Sequence, residues 1–158
     1  MEESEDRVEE ARLAYRAAEA AFPGYVEAGA RLGTTYLYEG DPREGIELLR
    51  EARRRAPARA DLTYYAALLF VRAEEFDRAE VLIRERLDPV EHAEMVRQAT
   101  ETLERTRLLT SAERAFADGD PETGLELLGQ AIGWTTDPAL RRHLEARYEA
   151  LRQAHGEL

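Results

Sequence analysis

Residues 32–57 read LGTTYLYEGDPREGIELLREARRRAP, and the order of residue types in that stretch decides the fold. A small residue, Gly33, is followed by an aromatic, Tyr36, and by a Gly-Asp-Pro turn at 40–42. Gly45, bulky Leu49, small Ala52 and a closing Pro57 complete the unit. Moving each position on by 34 residues brings up Ala67, Phe70, Glu74, Ala79, Ile83 and Arg86, with Pro89 closing near the expected place. Moving 45, 49 and 52 back by 34 brings up Ala11, Tyr15 and Ala18, with Pro23 standing 34 before Pro57. Self-similarity at a fixed period of this size is the mark of a stacked repeat.

A third copy lies 79 residues on, as Gly119-Asp120-Pro121, Gly124, Leu128 and Ala131. The surplus over two periods is 79 − 68 = 11 residues, about three turns at ~3.6 residues per turn. An insertion of that size nearly keeps the phase of a helix, so it lengthens one. Met95, Val96, Ala99, Leu103, Leu109, Ala112 and Phe116 carry one apolar stripe through it, and the spacing predicts a long helix over 89–117.

Asp precedes Pro four times, at Asp41, Asp88, Asp120 and Asp137. An Asp carboxylate accepts from the free amides of a first turn, and Pro in the first helical position gives up no needed donor. Gly24, Gly40 and Gly119 sit where helices should stop. The predicted set is about eight helices, at 4–21, 26–39, 42–55, 60–73, 76–87, 89–117, 121–133 and 138–154. No strand is expected, since Leu68-Leu69-Phe70-Val71 falls inside a helical period. In the last helix Leu140, Leu144, Tyr148 and Leu151 share one side, and Arg141, Arg142, Glu145 and Arg152 the other, as in a terminal cap.

At 158 residues, 44% hydrophobic and 35% charged, the chain can bury a core and is neither disordered nor membrane-embedded in character. No apolar run approaches the ~18 residues of a spanning helix, and the acidic start lacks a signal-peptide pattern, so a cytoplasmic location is the expectation. A net charge of -11 excludes nucleic acid and anionic membranes as expected partners. There is no cysteine, and every basic side chain is arginine.

The 34-residue order of small, aromatic, Gly-turn, small, bulky apolar, small and Pro resembles the tetratricopeptide repeat. Leu32-Gly33, Tyr36, Gly40, Leu49, Ala52 and Pro57 carry the likeness best. Gly45 departs from the usual Ala, Arg86 from the last small residue, and Pro89 falls two residues early. The resemblance implies an all-α, right-handed α-solenoid of stacked antiparallel helix pairs. It would form one domain over 1–158, with a half repeat 4–23, repeats 26–57 and 60–89, an extended repeat 89–137 and a capping helix 138–155.

The resemblance also implies a function, protein–protein interaction, with the first helix of each pair lining a concave groove. Carried over by register, the groove positions are Glu27, Ala30, Thr34, Leu37 and Tyr38, then Asp61, Tyr64, Leu68, Val71 and Arg72, then Thr106, Leu109, Glu113 and Phe116. Thr34, Tyr38, Tyr64, Leu68, Val71, Arg72, Leu109 and Glu113 are the principal candidates for holding a peptide or amphipathic helix. The alternative for these aromatics and aliphatics is ordinary packing between helices. Lysine and asparagine, with which one subfamily grips a C-terminal carboxylate, are absent, so that clamp is not expected.

Other constellations point elsewhere or nowhere. Arg50, Arg53, Arg54, Arg55 and Arg59 form either a docking patch for an acidic partner or a solvated set of cations favoured at a helix C-terminus. Asp118, Asp120 and Glu122 lack the further ligands of a calcium loop. His92, His143 and His155 lack zinc spacing. No phosphate loop or nucleophile–base pair is present, so neither a cofactor nor an enzymatic activity is expected. Trp134 either staples the last helix or, if exposed, marks an interface. A second reading, self-association as a homodimer, rests on Val8, Ala11, Tyr15, Ala18 and Phe22 along the first helix.

Overall fold

The computed structural model describes the backbone of residues 2–156 and the side chains of residues 5–156; Met1, at the head of the acidic start, and residues 157–158 lie outside the described residues. The described residues form eight helices and no strand: α1 (Glu2–Ala21), α2 (Val26–Thr35), α3 (Pro42–Arg55), α4 (Ala60–Arg72), α5 (Phe76–Arg86), α6 (Ala93–Ala117), α7 (Pro121–Gly133) and α8 (Pro138–His155). Among them no helix is long and apolar enough to cross a membrane.

Three of the four Asp-Pro pairs open helices as their chemistry requires. The carboxylates of Asp41, Asp120 and Asp137 accept from the amides of Arg43, Thr123 and Leu140 at 3.0, 3.1 and 2.7 Å. The fourth corrects the expected start of the long helix from 89 to Ala93. Asp88 Oδ1 takes the amides of Val90 and Glu91 at 2.7 and 3.1 Å and the Asp88 carbonyl takes the His92 amide at 2.8 Å, forming a turn ahead of the helix, whose first bond beyond it runs from Val96 to His92.

α2 is likewise shorter than the expected 26–39. The hydroxyls of Thr34 and Thr35 donate back to the carbonyls of Arg31 and Leu32 at 2.8 and 2.6 Å, competing with the helical ladder. The amides of Tyr36, Leu37 and Tyr38 then bond three residues back, tightening the end.

The 34-residue register reappears in the backbone. Gly40 (φ +85°), Glu74 (φ 59°) and Gly119 (φ +79°) are the three described residues with positive φ, and they are the same repeat position. At two of them the helix closes as a Schellman turn. Glu75 and Asp120 donate to the carbonyls of Phe70 and Ala115, and Glu74 and Gly119 to those of Val71 and Phe116. The small positions Gly33, Ala67 and Ala112 are buried, as are Gly45, Ala79 and Gly124, and so are Leu49, Ile83 and Leu128.

The chain forms two compact units, residues 1–99 and 100–158, and the division falls inside α6. In the first unit α1 packs on α2, α2 on α3, α3 on α4 and α4 on α5. Leu32, Tyr36, Ile46, Leu49, Leu62, Leu69, Phe70 and Ile83 fill the core, each large aliphatic contributing about 1.5–3 kcal/mol. α2 and α3 approach so closely that a methyl on Gly45 would lie 2.8 Å from the Gly33 carbonyl oxygen.

In the second unit Ala112, Leu128 and Leu144 form a buried cluster, against which Leu109, Phe116, Leu127, Ile132, Leu140, Tyr148 and Leu151 pack. The apolar side of α8 is thus the covered one, with Arg141, Arg142, Glu145 and Arg152 exposed. Glu101 pairs with Arg105 at 3.3 Å and also accepts from the Thr136 amide and hydroxyl, both at 2.9 Å.

Candidate partner-binding concavity

Glu27, Ala30, Arg31 and Thr34 lie along α2, and Leu37 and Tyr38 follow its end. Arg59 precedes α4, and Asp61, Leu62 and Tyr65 lie on its first turns. Together they line a concavity of about 250 Å³ in the first unit. Leu37, Tyr38, Leu62 and Tyr65 are its aliphatic and aromatic lining, and Glu27, Arg31, Arg59 and Asp61 its charged lining. Arg59 donates to Glu27 at 2.7 Å and forks onto both oxygens of Asp61 at 2.7 and 3.2 Å, and Arg31 reaches the other Glu27 oxygen at 2.9 Å. These bonds raise the Arg59 pKa, and the Arg59 hydrogen bonds hold the Asp61 carboxyl below its usual range. Planar, forked pairs of this kind set geometry as well as charge. Tyr38 stands 81% exposed at the rim.

The structure sorts the principal candidates. Thr34 and Tyr38 line the concavity. Tyr64 lies beside it in sequence but not in it. Its ring meets Tyr65 edge-on at 5.3 Å, its hydroxyl donates to Gln98 at 3.1 Å, and burial raises its pKa. Leu68 is half-buried. Val71 is a correction: at 3% exposure it belongs to the core and offers a partner no surface. Arg72 is committed to the fold, donating to the carbonyls of Tyr36 and Gly40 at 2.7 and 2.6 Å. Leu109 is half-buried and packs against the core of the second unit. Glu113, in that same unit, is exposed and pairs with Arg147 at 3.6 Å.

Sequence register also missed residues. Tyr65 and Leu62 replace Tyr64 as the lining of α4; Asp61 and Tyr65 are four apart and therefore share a face, a signal available once Asp61 is placed. Arg59 belonged on paper to a basic cluster, and its role at the rim follows only from its bonds to Glu27 and Asp61. The carboxylate of Asp120 is occupied by the Thr123 amide, as a cap. Trp134 follows α7 and is 43% exposed. Along α1, Val8, Ala11, Tyr15 and Ala18 are half-buried, while Leu13 (61%) and Phe22 (69%) face outward.

No family model matches this chain, and no curated protein or solved structure matches it either.

Proposed function

We propose that this chain is a cytoplasmic protein-interaction module built from tetratricopeptide-type helix pairs, stacked in its first unit as in a right-handed α-solenoid, with no catalytic chemistry of its own. The observation that carries the reading is the concavity between α2 and α4, where exposed Tyr38 and the faces of Leu37 and Tyr65 adjoin a fixed lattice of Glu27, Arg31, Arg59 and Asp61. Support for the repeat type comes from the left-handed residue recurring at Gly40, Glu74 and Gly119. Aromatic and aliphatic lining residues beside oriented charges suit a peptide or amphipathic helix carrying an apolar anchor.

The test is capture of partners by the wild type, by Tyr38→Asp and by Tyr65→Arg, with circular dichroism to verify folding. The captured protein's binding segment is then titrated as a synthetic peptide. A segment that binds the wild type and is lost by both variants supports the reading. A segment that binds all three equally sinks it.

Homodimerisation is the second reading, and Leu13 and Phe22 are the observation behind it, being large apolar side chains left outside where α1 packs on α2. Light scattering that finds a monomer at working concentration removes it.

A further inference from the structure

A second cavity of the first unit lies among α1, α2 and α3 and shares no residue with the concavity between α2 and α4. Its volume is about 180 Å³, below the roughly 300–1,000 Å³ of sites for drug-sized molecules and enough for one long side chain. Tyr25, 54% exposed, contributes an aromatic ring to it. Glu19, Glu47 and Glu51 contribute three carboxylates, against the single guanidinium of Arg55.

Two of those carboxylates are already served. Arg50 pairs with Glu47 at 2.8 Å, and Arg54 and Arg55 pair with Glu51 at 2.7 and 3.0 Å. Arg55 also donates to the Pro23 carbonyl at 2.6 Å, which ties α3 to the turn carrying Tyr25. Glu19, half-buried in the last turn of α1, has no basic partner among the described residues. The helix ends favour the same sign of ligand. α1 and α3 bring their last turns to the cavity and α2 its first, so carbonyl ends, which attract cations, outnumber the one amide end.

Gly29, in the cavity lining, is an independent sign that this space is kept open. Glycine inside a helix is disfavoured against alanine, so its presence needs a reason. Gly33, one turn on, has one: a methyl there would lie 3.0 Å from Leu49 Cγ and 3.3 Å from the Gly45 carbonyl oxygen. A methyl on Gly29 would meet only Glu19 Oε1, at 3.9 Å, an ordinary contact. The φ of Gly29 is not positive either. Neither packing nor backbone conformation requires glycine at 29, and the side chain it lacks would stand in the cavity beside Glu19.

We propose that this cavity receives one arginine side chain of a partner protein, its charge paired with Glu19 and its plane set against Tyr25. The site is separate from the α2–α4 concavity and does not depend on how that concavity is used. A carboxylate beside an aromatic face suits a guanidinium, and the overall charge of -11 draws a basic segment toward the chain.

The experiment records amide spectra of the isotope-labelled intact chain during titration with a short glycine–serine peptide carrying one arginine. The same peptide carrying citrulline, which keeps the shape and loses the charge, is the comparison. Shifts should concentrate on the Tyr25 and Gly29 amides, weaken with salt and vanish with citrulline. Affinity should fall about tenfold or more in Glu19→Gln, while Glu145→Gln on α8, with the same loss of charge, binds as the wild type does. Gly29→Leu should lose the peptide and melt no lower than the wild type, since it gains helix propensity. Should that variant fail to fold, the contrast between Glu19→Gln and Glu145→Gln decides. The proposal is overturned if the arginine peptide shifts neither amide at low salt, or if the citrulline peptide binds as well. It is also overturned if the two Gln variants bind alike, or if a folded Gly29→Leu binds undiminished. Spermidine binding these amides more tightly than the peptide would replace the partner protein with a free polyamine. A self-association of the wild type that Gly29→Leu abolishes would replace it with a second copy of this chain.

Discussion

Glu74 repeats, 34 residues on, the left-handed backbone of Gly40: φ is 59° at Glu74 and +85° at Gly40. The Schellman turn at 70–75 demands that conformation whichever residue stands there, because the amides of Glu74 and Glu75 must reach the carbonyls of Val71 and Phe70. Glycine adopts it freely, while an L-residue with a Cβ loses roughly 1–2 kcal/mol.

Glu74→Gly should therefore stabilise the protein by about 1 kcal/mol, the relief of strain exceeding the extra entropy of the unfolded glycine. Urea unfolding should show a higher midpoint at unchanged slope. A lower midpoint would mean that the Glu74 side chain contributes more than its backbone costs.

Gly45→Ala should act in the opposite direction. Its new methyl would meet the Gly33 carbonyl oxygen and the Tyr36 Cβ, both at 2.8 Å, and backbone oxygen yields little. A loss of about 1–3 kcal/mol follows, despite the better helix propensity of alanine. Gly129→Ala is the contrast, with only Tyr148 at 3.7 Å and an expected gain of about 0.5–1 kcal/mol. Thermal melting of the two variants side by side decides the matter.

Arg12→Met should be among the most damaging single changes. The residue is 6% exposed; its guanidinium lies over the Tyr36 ring at 3.9 Å and donates to the Thr35 hydroxyl at 3.0 Å and the Glu39 carbonyl at 2.8 Å. Removing it leaves those acceptors at the end of α2 unserved, at a cost of about 2–4 kcal/mol. Arg12→Lys should recover only part, since one ammonium cannot replace the planar fork. A melting temperature unchanged in both variants would show that water serves these groups equally well.

Stability should fall on acidification. Hydrogen bonds from Arg54 and from Arg97 lower the carboxyl pKa values of Glu51 and Glu94 from the usual 4.5 to about 2, and Arg59 lowers that of Asp61. A carboxylate lowered in the folded state binds its proton first in the unfolded chain. Its contribution is therefore complete above the ordinary carboxylate range and is lost as pH drops from about 4.5 toward 2. Urea midpoints measured across that window should decline progressively, and Glu51→Gln should flatten part of the decline. A midpoint independent of pH there would mean that these exposed pairs contribute nothing to folding.

The surface of the first unit was legible only in part, and the errors have one cause. Register from the repeat places Thr34 and Tyr38 on the concavity that the fold presents, but assigns Tyr64 where Tyr65 stands. It also counts Val71 as accessible when both sides of α4 near its end are covered. Arg12 could not be found at all, since a pattern of apolar positions treats arginine as solvated. Its burial depends on a hydroxyl and a carbonyl 23 and 27 residues away.

What the amino-acid order determined by itself is the set of helices and the stops between them. Asp-Pro caps, left-handed glycines and the 3.6-residue stripe act between neighbours a few residues apart, so they are written locally. The tertiary structure alone decided that Arg59 ties Glu27 to Asp61 and that Arg12 is buried against Tyr36. It alone decided that the chain gathers into two units dividing inside α6. Those outcomes depend on how closely helices approach one another, which side-chain volumes such as the missing methyls of Gly33 and Gly45 set across distances that no local pattern spans.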